Sequence, residues 1–384
     1  MSNHLPLPSD EELLISQKLT EQIIDLIDKN DGFIPFDQYW NAILYTPHLG
    51  YYSGSAYKIG RQGDFTTAPQ VTDLFGKTWA RQIAEILPQT ECNVYEFGAG
   101  TGVLAVDLLE ALAEQGLHHY YIIEISPNLR ARQQETIVSK MPQYADRVIF
   151  LDRLPEYFDG VVIGNEILDA VPCQVFECRD DGIFEMGVTH YHGRLQESFQ
   201  PACKTLIDVI PHWISTDYNL PYRSEITSQQ TALTATIAQK LRKGALMWID
   251  YGFDENEFYH PQRNKGTMIG HYRHHTIQDP FFYPALMDWT AHVNFSAIAA
   301  EATSAGLDFI GYTHQASFLL SLGITDLLEQ KGDTASENYI RQAAACQKLL
   351  NPQEMGEIFK VIGFGKNINP DWTGFNGIDL SRKL

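Results

Sequence analysis

The sequence predicts an α/β fold whose doubly wound, largely parallel sheet presents its site at the carboxyl ends of the strands. Three observations predict it. Between residues 92 and 250, short apolar strands alternate with helical patterns across short connections, and such alternation implies βαβ units. The apolar strand containing Val94, Tyr95 and Phe97 runs into glycines at alternate positions, Gly98, Gly100 and Gly102. A helical stripe of Leu104, Leu108, Leu109 and Leu112 follows at once. A second strand, YYIIEI, then ends in the acidic Glu124, about twenty residues beyond that turn.

Taken in order, residues 10–28 place Leu13, Leu14, Leu19, Ile23, Ile24 and Ile27 at helical spacing. Residues 36–45 read as a second, short helix. Residues 50–76, GYYSGSAYKIGRQGDFTTAPQVTDLFG, form a loop dense in glycine, tyrosine and threonine, a composition suited to a lid or ligand-binding segment. A helix over 71–87 leads into the glycine strand. Beyond the glycine helix come a strand over 120–125 and a helix over 126–141, with Ser126 as its cap and Pro127 at its first position. Strands over 147–151 and 161–164 follow. The alternation breaks at 175–195, where QVFEC and GIFEMGVTHYHG, punctuated by Asp181 with Gly182 and His192 with Gly193, read as hairpins. This mainly antiparallel insertion is closed by a helix over 228–241. A strand over 245–249 resumes the core and ends in Asp250, Tyr251 and Gly252. Residues 253–266 read as a loop, 267–272 as a strand and 296–305 as a helix closed by Gly306. A strand over 309–313, helices over 315–322 and 338–350, and a last strand over 359–364 complete the chain.

Composition narrows the function classes. The 28 basic residues face 48 acidic ones, a net charge of −20. That opposes tracking a phosphate backbone and suits a cationic partner, although solubility alone favours the same balance. The five cysteines, Cys92, Cys173, Cys178, Cys203 and Cys346, include no C-x-x-C pair, so neither a disulfide framework nor a zinc knuckle is expected. Cys173 and Cys178 read as buried strand residues rather than nucleophiles. His271, His274 and His275 have no acidic or cysteine partner at ligand spacing, so no metal is expected there. His314, Gln315, Trp289 and Phe318 fit either a substrate groove or the core. No apolar run approaches membrane-spanning length, and the start, MSNHLPLPSDEELL, lacks the features of a leader. A reducing compartment is expected, most simply the cytoplasm of a bacterium.

The glycine turn is where a ligand is expected. Glycine permits positive φ and bares backbone N–H groups beside the positive end of a helix dipole. A dinucleotide fingerprint would need its third glycine where Val103 stands, and no Gly-Lys-Ser/Thr follows for a P-loop. Glu96, two residues before the first glycine, would repel a pyrophosphate but would suit the amino group of a methionine moiety. Glu124 is placed to accept both hydroxyls of a ribose. Together these features point to S-adenosylmethionine (SAM) rather than NAD. The N–H groups around Gly98, Ala99, Gly100 and Gly102 would hold its carboxylate, and Glu96 its amino group, directly or through water. Ile125 would flank the adenine, and Asn165 is grouped with the cofactor-binding residues. Asp152 is either a partner for the adenine amino group or a solvated loop aspartate.

Several stretches resemble the MidA-like family of SAM-dependent methyltransferases. They are GDFTTAPQVTDLFG, YEFGAGTGVLA, IEISPNLRARQ, NEILDAVP, IDYG, GTMIGHYRHH, DWTAHVNFSAI, QASFLLSLGI and MGEIFKVIGFG, spanning roughly residues 50–365. The family's mitochondrial members are protein arginine methyltransferases that act in respiratory complex I assembly. The resemblance therefore implies a protein arginine substrate, such as a subunit of a respiratory complex. It also implies a class I methyltransferase (Rossmann-like) core with N-terminal helices and a smaller inserted and C-terminal α+β lobe. Residues 1–90 would hold the N-terminal helices and lid loop, and 91–174 with 244–266 the SAM-binding core. Residues 175–243 would be the insertion, and 267–384 the rest of the core and a substrate lobe. By the same resemblance, Gly63, Asp64, Thr66, Thr67 and Pro69 belong to a lid over the cofactor.

NEILDAVP supplies the candidate catalytic residues. Glu166 and Asp169 lie three residues apart; if Glu166 opens a helical turn, their carboxylates share one face and repel each other. An arriving guanidinium, always charged and fork-shaped, would relieve that repulsion. Helix capping and strand-end solvation are the structural alternative. Enzymes that methylate base amino groups typically carry Asn/Asp-Pro-Pro-Tyr at this strand end, and a flipped base would need a basic channel, so nucleic acid is not expected as substrate. Methylation of a small molecule, and an assembly factor that binds SAM but mainly chaperones its partner, are the rival readings. The oligomeric state is left open.

Overall fold

Residues Asn93–Phe97 are buried at every position, and a strand with no exposed face must lie inside a sheet covered on both sides. The computed structural model, which describes residues 5–54 and 66–384, builds that sheet. Gly63 and Asp64 of the expected lid lie outside the described residues. The chain divides into two units, one comprising Thr66–Ile167, Thr231–Gly252 and Phe295–Leu384, the other Met1–Phe65, Leu168–Gln230 and Phe253–Asn294.

The sheet-bearing unit uses α1 (Asp73–Ile86), β1 (Asn93–Phe97), α2 (Val103–Leu112), β2 (His119–Ile123), α3 (Pro127–Lys140), β3 (Val148–Leu151), β4 (Phe158–Asn165), most of α4 (Ser228–Lys240), β5 (Leu241–Phe253), α5 (Phe295–Ser304), β6 (Asp308–His314), α6 (Gln315–Ser321), α7 (Glu337–Leu350) and β7 (Phe359–Lys366). The strands follow the order β3-β2-β1-β4-β5-β7-β6. The first five are parallel to their neighbours, while β7 runs antiparallel to both β5 and β6. The fold is thus α/β with a mixed sheet. Because β2 and β4 flank β1, strand order reverses there, and the carboxyl end of β1 is the switch point where such sheets bind ligands.

The core forms as the apolar spacing predicts. Leu104, Leu108, Leu109 and Leu112 of α2 are all buried, against Trp79 and Ile83 of α1 and Val94, Val161, Ile163, Met247 and Ile249 of the strands. Gly164 is required by volume: a Cβ there would stand 2.2 Å from the Trp248 ring. Phe318 lies in this core. His314, at the end of β6, has its Nδ1 3.2 Å from the Glu357 carbonyl, and burial lowers its pKa.

The other unit carries helices Asp10–Lys29 and Phe36–Tyr45, the first closed by a Ser9/Glu12 capping box. Its antiparallel sheet orders Ile34–Pro35, Gly182–Tyr191, Gln174–Arg179 and Tyr222–Ile226, with Arg194–Pro201 also paired to Gly182–Tyr191. The second hairpin turns at His192 with Gly193 as predicted, whereas the first turns one residue earlier than predicted, at Asp180 with Asp181, because Gly182 already pairs with Arg179. A second small sheet joins His275–Ile277, Ile269–Tyr272 and Asp288–Thr290, so His271 and His275 are strand residues and His274 lies in the turn between them. Trp289 is core, packed with Leu19, Trp40, Val175 and Met186. Cys173 and Cys178 are buried, and burial pushes both thiols up, Cys178 to about 11.

Three local expectations are corrected. The helix over 71–87 is broken at Thr72, which is extended (φ −161°) and whose hydroxyl caps α1 by accepting from Leu74 N–H; a short helix, Ala68–Val71, precedes it. The loop over 253–266 contains the one-turn helix Glu255–Phe258, capped by Asp254. No helical turn opens at Glu166. That residue adopts φ +54°, and the chain turns instead through Val171 N–H to the Leu168 carbonyl, 3.1 Å. Glu166 and Asp169 therefore share no helix face. Among the described residues no helix is long and apolar enough to cross a membrane.

One buried acid gives a stability prediction. Asp107 of α2 is 6% exposed and lies against Gly76 of α1, where a Cβ would stand 2.5 Å from its own Cβ. Its Oδ2 has no hydrogen-bond partner among the described residues, and burial pushes the carboxyl up to about 7. The protonated form supports the fold, and that support is lost as pH rises from about 4 through about 7. Asp107→Asn is expected to raise unfolding free energy at pH 8 by on the order of 2–4 kcal/mol and to change little at pH 4. Denaturant titration at the two pH values checks this; equal effects at both would contradict it.

Candidate functional site

The glycine turn at the end of β1 is built from three left-handed residues, with φ +59° at Gly98, +53° at Gly100 and +80° at Gly102. Gly98 N–H still donates to the Ile123 carbonyl of β2 (3.0 Å), and Gly102 N–H donates to the Ala99 carbonyl (2.7 Å). Gly102 then serves as the N-terminal cap residue of α2. A Cβ at Gly98 would stand 2.3 Å from Ile167 Cδ1, whereas one at Gly100 would meet nothing within 4 Å. Gly100 therefore offers bare backbone to open space beside a helix N-terminus, the arrangement that binds an anionic group.

Two acids flank the turn. Glu96 is 2% exposed, and its Oε2 accepts from the Tyr120 hydroxyl at 2.8 Å. Burial, reinforced by the nearby Glu124 charge, pushes Glu96 up to about 8 against the lowering effect of that hydrogen bond. Near neutral pH Glu96 holds its proton, and a cation placed beside it is what would ionise it. Glu124, half-buried beyond β2, accepts from Ser126 N–H on Oε1 and from the Gln133 amide on Oε2, both at 2.8 Å. Burial raises its pKa despite these bonds. A carboxylate has about four lone-pair positions, so both oxygens keep capacity for a pair of hydroxyls. Beside it, Ile125 is 67% exposed, an apolar side chain left open at a strand end.

The remaining candidates are placed as follows. Thr67 precedes the Ala68–Val71 helix without a side-chain capping bond, and Pro69 is buried in it; Thr66 is half-buried just before. This segment meets the glycine turn through Gln70, whose amide lies 3.4 Å from the Thr101 hydroxyl. Asp152, beyond β3, is salt-bridged to Arg130, with its side chain 87% exposed. Arg130 also donates to the Phe150 carbonyl and lies over the Phe150 ring. Asn165 ends β4 and donates its amide to Glu166 Oε1 at 2.9 Å. Glu166 N–H donates to the Ile249 carbonyl at 2.8 Å, and the next N–H, of Ile167, donates to the buried Asp250 at 3.1 Å. A glutamate is thus held left-handed at a strand end, a conformation that costs on the order of 1–3 kcal/mol and concentrates at functional sites.

Asp169 falls in the other unit, where it is 6% exposed and Asp288 3% exposed. Both carboxylates bear on Tyr52, whose phenol is pushed well up, first by burial and then by these two charges. The Tyr52 hydroxyl donates to Asp288 Oδ1 at 2.8 Å. The Tyr45 ring stacks on Tyr52 with centroids 5.7 Å apart, and its hydroxyl donates to the Ala170 carbonyl at 2.9 Å.

The family described as S-adenosyl-L-methionine-dependent methyltransferase matches residues 78–313, a span that holds the glycine turn, Glu124 and Glu166. The chain belongs to this family. A Burkholderia thailandensis protein solved bound to S-adenosyl-homocysteine is 42% identical, with a TM-score of 0.95, and the match covers 99% of this chain and 100% of that one. A native structure from the same organism is 41% identical, with a TM-score of 0.91 and the same coverage. The mitochondrial protein arginine methyltransferase NDUFAF7 of Danio rerio is 26% identical over 369 residues, covering 86% of this chain and 82% of that protein. Its Homo sapiens counterpart is 25% identical over 381 residues, covering 86% and 80%. The cofactor of this MidA-like methyltransferase is SAM, and the residues present fit it: an open glycine cradle, an acid poised to ionise, a clamped carboxylate and an exposed apolar side chain.

Sequence reading missed Gln70, Arg130, Gln133, Asp250, Tyr52 and Asp288. All but Tyr52 lie in the motifs that carry the family resemblance, but nothing in their spacing reveals the contacts they make.

Glu96 gives a binding prediction. As partner to an ammonium group it must shed its proton on binding, so affinity for S-adenosylhomocysteine should rise about tenfold from pH 6.5 to pH 8. Glu96→Gln should bind more weakly and lose that rise. Calorimetric titration at the two pH values measures both; a wild-type affinity indifferent to pH would contradict the role.

Proposed function

We propose that this enzyme transfers a methyl group from SAM to an arginine of a partner protein, with a respiratory-complex subunit as the candidate class of acceptor. The sheet and its helices serve as a doubly wound, Rossmann-like class I core. Bound SAM supplies an electrophilic methyl group on a sulfonium, and in-line displacement asks the protein mainly for position and electrostatics. The Gly98 and Gly102 N–H groups, expected to share in this, are already spent on the Ile123 and Ala99 carbonyls; the N–H groups between them, of Ala99, Gly100 and Thr101, hold the carboxylate end, Glu96 the amino group and Glu124 the ribose. Ile125 flanks the adenine, with Asp152 and Asn165 at the adjoining strand ends. Thr66, Thr67 and Pro69 form the described part of the lid.

The observation that carries the acceptor class is the pair of buried carboxylates, Asp169 and Asp288, bearing on one phenol. Acids gathered in this way, in a chain of net charge −20, suit a cationic acceptor, and a guanidinium keeps its charge at any pH. Glu166, held at the carboxyl end of β4, orients the guanidinium and offsets its charge as the methyl moves. The arginine methyltransferase names of the NDUFAF7 relatives support this reading.

The test is transfer of labelled methyl from SAM into an extract of cells lacking this protein, followed by mapping of the labelled residue. Label on an arginine of one protein band is expected; label confined to small molecules would overturn the acceptor class. Glu166→Gln is expected to keep S-adenosylhomocysteine affinity within about twofold while transfer falls about 100-fold or more. A matching loss of both would move Glu166 into the cofactor site.

A further inference from the structure

We propose that Gln133 is a positioning residue that locks the glycine turn and the Glu124 carboxylate into a single element reading the cofactor's ribose. The proposal rests on the reading that Glu124 accepts the ribose hydroxyls. Gln133 lies on α3 and is fully buried. Its amide nitrogen donates to the Gly100 carbonyl at 3.1 Å and to Glu124 Oε2 at 2.8 Å. Both partners only accept, so the amide orientation is fixed and both its hydrogens are used.

The backbone is shaped around this contact. A Cβ at Gly102 would stand 3.2 Å from Gln133 Cα, so the third glycine lets the turn and α3 approach. Peptide planarity sets C=O and the following N–H in opposite directions. Holding the Gly100 carbonyl on Gln133 therefore turns the Thr101 N–H away from α3. With Ser126 N–H on its other oxygen, the Glu124 carboxylate is fixed from both sides and keeps lone pairs for a vicinal diol. One amide thus sets both the turn that would face the methionine end and the acid that would face the ribose.

The amide is only half satisfied. Gln133 Oε1 is buried with no hydrogen-bond partner among the described residues, and an orphaned buried acceptor is destabilising. An apolar side chain of the same length would leave no such atom.

The test is calorimetric titration of S-adenosylhomocysteine and its 2′-deoxy analogue into wild type, Glu124→Ala, Gln133→Met and Gln133→Asn, with melting temperatures of all four. Wild type is expected to bind the deoxy analogue at least about tenfold more weakly, and Glu124→Ala to lose that discrimination. Gln133→Met should bind S-adenosylhomocysteine about tenfold more weakly and distinguish the two ligands by less than about threefold, a loss of discrimination that a merely structural role would not produce. Gln133→Asn, which draws the amide back from Glu124, should lose discrimination in the same way and answers the question if the Met variant does not fold. Wild type that ignores the missing hydroxyl, or Glu124→Ala that still senses it, overturns the ribose reading and the proposal with it. Discrimination lost in Glu124→Ala but retained in the Gln133 variants overturns the Gln133 role alone.

Discussion

The constraint on which the site depends is the left-handed backbone at Gly98, Gly100 and Gly102. A strand buried at every residue has few side chains to offer a ligand, Glu96 beside its carboxyl end being the exception, so β1 delivers the rest of its function through backbone where it leaves the sheet. Alternate positive φ values curl the chain tightly enough for Gly98 to keep its bond to β2 while Gly102 already starts α2. The strand order reverses at that same point, so the bare N–H groups open onto the crevice rather than a neighbouring strand. Any side chain at these positions strains the backbone, and at Gly98 it would also collide with Ile167.

Buried acids are the second theme. The chain carries net charge −20, yet Glu96 and Asp107 are inside, and burial pushes both toward their neutral forms. Their settings differ. Asp107 faces a helix–helix contact in which Gly76 makes room for it, whereas Glu96 lies beside Tyr120 on the strand that enters the glycine turn. Only the second lies at the strand end where the ligand is proposed to bind, and there a ligand's cation would offset the cost of ionising it.

Much of this was legible in the sequence because it follows from local rules. Alternating strand and helix patterns gave the parallel strands, the leucine spacing gave the buried face of α2, and the glycine spacing with Glu96 and Glu124 singled out the turn. Ser126 and Pro127 marked the start of α3 correctly. What escaped depends on contacts between distant segments or on single backbone angles. Thr72 breaks an apolar helical pattern because its hydroxyl caps α1 better than its backbone continues the preceding helix. Glu166 adopts a conformation that glutamate rarely takes, held by the Ile249 carbonyl more than eighty residues away. Gln133 reads as one more polar residue on a surface helix until its amide is found against Gly100 and Glu124. The gathering of Tyr52 and Asp288 near Asp169 joins segments more than a hundred residues apart in the chain.

The most direct measurement is a crystal structure of this protein with S-adenosylhomocysteine bound. The account predicts the ribose hydroxyls on the Glu124 carboxylate, the amino group beside Glu96, and the carboxylate at the N–H groups of the glycine turn. A ribose held by other residues, or a ligand whose methionine end points away from Gly98 and Gly100, would contradict it.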